Sequence, residues 1–133
     1  MKHLVAAGAL ALATMIAPAG AQEAPANDVQ VTEMTLGPEN AKVTVMEYAS
    51  FTCPHCATFH KGPFKKLKAE YIDSGKVRFV YRDVYFDRFG LWASMVARCG
   101  GEEKFFGVSD MLYEAQREWT QGEPAAVADN LRR

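Results

Sequence analysis

The chain has no excess of either charge: 15 Lys and Arg stand against 16 Asp and Glu, a formal net charge of −1. A nucleic-acid-binding face or a polybasic membrane patch would show as an imbalance, so both are excluded as leading readings. With 133 residues there is room for one ordinary domain but not two. No internal repeat occurs, and no low-complexity tract lies beyond the first residues. The apolar run Leu4 to Ile16 is shorter than the ~20 residues a membrane-spanning helix needs. No cysteine closely follows that run, which argues against a lipid-anchored protein. Cysteine itself is scarce: there are 3, an odd number, so pairing any two leaves one over.

What is present begins with a processing segment. Lys2 supplies a positive start, Leu4 to Ile16 the apolar stretch, and Ala19-Gly20-Ala21 an A-x-A cleavage site before polar Gln22. Residues 1–21 therefore read as a signal peptide, which places the mature chain outside the cytoplasm, where disulfides form and persist. Residues 22–34 read as a mature N-terminal segment, with a weak strand pattern from Val29 to Thr35.

Val43 to Tyr48 is β-branched and aromatic, broken only by Glu47, and reads as a central strand buried on both faces. Thr52-Cys53-Pro54-His55-Cys56 follows. Thr52 can cap a helix there, and Pro54 suits a first turn, where its missing N–H would be unpaired anyway. Phe64, Leu67 and Tyr71 recur at helical spacing, with a kink expected at Gly62-Pro63 and an end at Asp73-Ser74-Gly75-Lys76. Val77 to Val84 alternates as the strand closing a β-α-β unit. Leu91, Trp92, Met95, Val96 and Cys99 share one helical face, which Gly100-Gly101 ends. Glu102 to Gln116 resumes with Phe105, Val108, Met111 and Leu112, and a last helix starts near Pro124. The order β-β-α-β-α-α-α is an α/β fold with a helical second half.

Cys53 and Cys56, at the start of a helix after a buried strand, read as a redox-active dithiol. The thiolate is the species that attacks and leaves in disulfide exchange, and a free thiol with pKa ~8.5 is mostly protonated at neutral pH. The helix terminus contributes ~0.3–1 kcal/mol to an anion, up to ~2 when partly buried. One pKa unit is about 1.4 kcal/mol, so the dipole alone moves the thiol by at most about one unit. Further donors are needed, and His55 is placed to help. Two competing readings use the same residues. One is zinc held by the two cysteines with His60 or His55 and a fourth ligand from Cys99 or an acid. The other is a plain structural disulfide, which across so short a loop restrains little.

Met46-Glu47-Tyr48-Ala49-Ser50-Phe51-Thr52-Cys53-Pro54-His55-Cys56 closely resembles the active-site segment of the DsbA family, exported thiol:disulfide oxidoreductases of thioredoxin fold with an inserted helical domain. Arg82-Asp83-Val84-Tyr85 and the helices after it resemble one branch of that family, so the likeness extends over about residues 35–133. It implies residues 35–89 as the N-terminal part of a thioredoxin-like domain and 90–133 as an incomplete helical insertion. It implies Cys53 as the exposed sulfur that forms the mixed disulfide and Cys56 as the buried partner. Pro54 and His55 would tune the potential. Glu47, six residues before the first cysteine, either moves a proton to or from Cys56 or is simply a paired core acid. His60 reads as a surface helix residue. Cys99 is either a buried free thiol or half of a second disulfide whose partner lies outside this sequence. The family's cis-proline and closing strand pair have no counterpart here, so the chain reads as an N-terminal fragment, poorly stable by itself.

The leading function is donation of the Cys53-Cys56 disulfide to reduced, unfolded exported proteins in the periplasm by a monomer. Cofactor and metal are not expected, nor is a nucleic-acid partner. By resemblance, the re-oxidant would be a membrane DsbB-like, quinone-linked oxidase. Competing functions are a disulfide isomerase or reductase, an inactive fragment, and a metal-binding module.

Overall fold

The computed structural model describes residues 31–133; the leader and residues 22–30 of the N-terminal segment lie outside the described residues. Three strands form one sheet: β1 (Met34–Leu36), β2 (Val43–Ala49) and β3 (Val77–Asp83). Their order is β1-β3-β2, with β1 antiparallel and β2 parallel to β3. Between β2 and β3 run α1 (Pro54–Lys61), α2 (Pro63–Leu67) and a π-helical turn, Lys68–Ile72. After β3 come α3 (Arg88–Cys99), α4 (Gly101–Glu114), the short α5 (Gln116–Trp119) and α6 (Pro124–Asn130). None of the described helices is long and apolar enough to cross a membrane.

Among the described residues the middle strand is β3, with β2 beside it. Phe79, Val80 and Tyr81 are buried, whereas Val43, Met46 and Tyr48 are exposed. Among the described residues β2 pairs on one side only, so an apolar composition that suits a central strand here lies along a sheet edge. Of the Val29–Thr35 pattern, Val29 and Gln30 lie outside the described residues, and among the described residues the early strand begins at Met34.

The break between α1 and α2 falls at Gly62, before Pro63, as the sequence leads one to expect. The stripe beyond it is altered. Asp73 N–H donates to Lys68 O at 2.9 Å, the wider five-residue spacing of a π turn. The wider turn rotates the helix face, so Ile72 enters the core and Tyr71 stays exposed.

On α3 the expected apolar stripe is not the buried face, although Phe89 and Trp92 pack partly buried against the core. Leu91, Met95 and Cys99 are exposed, and the buried face is Gly90, Ala93, Ser94 and Ala97. The reason is close approach. A Cβ on Gly90 would lie 2.8 Å from Ser50 Oγ and 3.3 Å from Thr52 Oγ1, so only small residues let α3 sit against the loop before the cysteines. Arg98 and Ser94 both bind the buried Asp83 carboxylate, at 2.6 and 2.7 Å, which fixes α3 to the end of β3. The core itself is aromatic: Phe51, Phe79, Tyr81, Phe105 and Tyr113 are essentially fully buried.

Candidate active site

β2 delivers the chain into Ser50–Cys53 at the top of the sheet, and α1 leads away. Cys53, not Thr52, is the N-cap: its backbone is extended, and its sulfur accepts the Cys56 N–H at 3.4 Å. Thr52 turns aside instead and donates its hydroxyl to Asp87 Oδ2 at 2.7 Å. Asp87 in turn caps α3 by accepting the Gly90 N–H at 2.8 Å. The loop is thus clamped from one side by the helix that follows β3. From the other side Gln116, in α5, donates to Phe51 O and Cys53 O at 2.8 and 2.9 Å.

The two sulfurs are electrostatically unequal. Burial raises the Cys53 thiol, but the Cys56 side chain and the backbone N–H groups of Cys56 and His55 lower it by more, leaving it below the ordinary thiol value. For Cys56 burial dominates and, with the Cys53 side chain, pushes it up to about 11. Glu47's negative charge works against ionisation of both. His55 is exposed, and what it contributes to Cys53 is its backbone N–H. That is the helix-terminus effect expected from the sequence, with backbone donors in the part assigned to the imidazole.

Beneath the dithiol, Glu47 does have a partner. His60 Nε2 lies 2.9 Å from Glu47 Oε2, with the two side chains 2% and 13% exposed. His60 is therefore a core residue, contrary to its reading as a surface position. α1 turns it inward onto the sheet, where its ring stacks on Tyr113 at 4.2 Å and leans on Phe64. Tyr113 and Tyr81 share a hydrogen bond of 2.7 Å, and burial raises both phenols far above their normal range. The zinc reading is not favoured by this arrangement, because His60 is committed to Glu47 and Cys99 sits exposed at the far end of α3. That exposure also corrects the reading of Cys99 as a buried thiol. The roles of His60, Asp87 and Gln116 are what sequence reasoning missed: their partners Glu47, Thr52 and the Phe51 and Cys53 carbonyls lie 13, 35 and 63–65 positions away, and only the Asp87 cap on Gly90 is local.

A strand, a dithiol at a helix N-terminus, a parallel return strand and a helical segment define a thioredoxin-type redox fold, and a family model described as Thioredoxin matches residues 29–132. The chain belongs to that family, in its DsbA-like branch of disulfide oxidoreductases. It is 38% identical over 93 residues to a putative protein-disulfide oxidoreductase of Rickettsia bellii, covering 69% of this chain and 36% of that protein. It is 32% identical over 93 residues to disulfide bond formation protein D of Bacillus subtilis, covering 65% of this chain and 40% of that protein. Among solved structures it resembles Wolbachia pipientis alpha-DsbA1, with a TM-score of 0.65 and 32% identity, over 74% of this chain and 48% of that one. The chain spans about a third of the length of the Rickettsia relatives it matches.

Proposed function

We propose that this chain carries the reacting half of a thiol:disulfide oxidoreductase that oxidises exported proteins. The observation that carries the reading is the inequality of the two thiols across one helix turn. A substrate thiolate attacks Cys53 Sγ of the Cys53–Cys56 disulfide, the S–S bond breaks, and Cys56 leaves and takes up a proton. A second substrate thiolate then attacks the substrate sulfur of the mixed disulfide and expels Cys53. The substrate loses two electrons and gains a disulfide; the protein gains both electrons as a dithiol. A low-pKa Cys53 is a good leaving group in the second step, and a high-pKa Cys56 holds its proton once reduced. The stabilised Cys53 thiolate favours the reduced protein and so makes its disulfide oxidising, while Cys56 stays a neutral thiol.

Glu47 lies close enough to act on both sulfurs and serves proton exchange with Cys56, with Pro54 and His55 shaping the first turn that receives the thiolate. The leader at residues 1–21 supports a periplasmic setting, where reduced, unfolded chains are the substrates and a DsbB-like membrane oxidase restores the disulfide. The test is oxidation of a reduced, unfolded dithiol protein by the oxidised chain. Cys53→Ser abolishes exchange, and Cys56→Ser accumulates mixed disulfides on Cys53. Equal trapping through Cys56 alone would reverse the two roles, and no acceleration by a folded, oxidised chain would sink the reading.

A further inference from the structure

Gln116 opens the four-residue helix α5 and is 6% exposed. Its side chain spends both amide hydrogens on two carbonyls of the active-site loop, Phe51 O and Cys53 O. Flipping the amide would set its oxygen against two oxygens, so the partners themselves determine its orientation. Cys53 O also accepts the Ala57 N–H at 3.1 Å, the first hydrogen bond of α1. The peptide plane after Cys53 is therefore held from the helix and from α5 at once. That plane sets ψ of Cys53, which is 118°, and this ψ directs the N–H groups of His55 and Cys56 relative to Sγ. Pro54 has no N–H to add a further restraint.

We propose that Gln116 is a positioning residue for the dithiol: through the Cys53 carbonyl it holds the sulfur over the backbone N–H groups that stabilise its thiolate. The helical segment acts on the redox centre through this tether. The assignment goes beyond the oxidant reading and does not depend on it, since thiol ionisation is measurable without a substrate.

The experiment is a thiolate-absorbance titration of Cys53 in the full chain carrying Cys56→Ser and Cys99→Ser. Gln116→Met keeps the length and removes both donors. Gln116→Asn keeps the amide but shortens its reach by one methylene. Trp119→Phe deletes the neighbouring Trp119 Nε1 bond to Leu112 O and serves as a stability control. The expected result is a rise of about half a unit for Met and a smaller rise for Asn, read as an about threefold loss of thiolate well below the midpoint. The control loses melting temperature with its titration unmoved. An unchanged Cys53 titration in Gln116→Met, or an equal rise in Trp119→Phe, overturns the proposal. So does failure of both Gln116 variants to fold, because the residue would then serve the fold rather than the thiol. Failure of the oxidation assay with these shifts intact would count against the oxidant reading alone.

Discussion

Replacing His60 by Phe isolates the most consequential contact beneath the dithiol. The ring is retained, so packing on Tyr113 and Phe64 at 4.2 and 4.5 Å is largely preserved. What disappears is the 2.9 Å hydrogen bond to Glu47, whose side chain is 13% exposed. A hydrogen bond to a charged group contributes about 1.5–3 kcal/mol, and its removal leaves the carboxylate without that partner in a mostly dry site. For a domain of roughly 100 residues, such a loss lowers the melting temperature by on the order of 10 °C. A double-mutant cycle separates the pair from its surroundings. Glu47→Met alone strands the imidazole, and Glu47→Met with His60→Phe removes both ends at once. The double variant is expected to cost less than the sum of the singles by about 1.5–3 kcal/mol, from urea unfolding of the reduced protein. Costs that add to within about 0.5 kcal/mol would refute the reasoning, because distant, uncoupled sites behave that way.

Two further outcomes follow from the same geometry. Stability of the reduced protein should rise with pH as Cys53 ionises in the fold before it would in the unfolded chain, because its folded pKa is lowered. From the ordinary thiol value of 9.0 to about 11 it should fall, because there Cys56 ionises in the unfolded chain but not in the fold. Denaturant midpoints against pH check this, and replacing Cys56 by Ser should remove its share of the alkaline loss. A monotonic rise through that window, with Cys56 present, would contradict the assignment. Gly90→Ala sets a methyl 2.8 Å from Ser50 Oγ and should cost about 1–3 kcal/mol by overpacking. Adding Ser50→Ala should recover part of that loss; no recovery in thermal melts would place the clash elsewhere.

The chemistry was legible because it is local. Two cysteines three apart, a proline suited to a first helical turn and a β-rich lead-in sit within about one strand and one helix, and short-range rules cover that span. The same rules located the Gly62-Pro63 break, the return strand β3 and the Gly100-Gly101 stop. They failed where the outcome depended on a distant neighbour. Periodicity on α3 identified an apolar face but not that close approach to Ser50 and Thr52 would bury the small-residue face instead. The five-residue turn after α2 shifted Tyr71 outward for a reason no hydrophobic stripe announces. Composition made β2 look central, while strand order, a property of pairing, puts β3 in the middle among the described residues.

The sequence by itself therefore determined that two cysteines stand three apart at a helix N-terminus, because that follows from residue type and spacing along a few turns of chain; the acid beneath them was implied only by the family resemblance. Only the tertiary structure decided what that acid faces, which groups clamp the loop and why the two thiols differ. Glu47 meets His60, Thr52 meets Asp87, and Gln116 reaches Phe51 and Cys53 across separations of 13 to 65 residues. Hydrogen bonding and desolvation act over a few ångströms of space, and only the folded chain brings such residues that close.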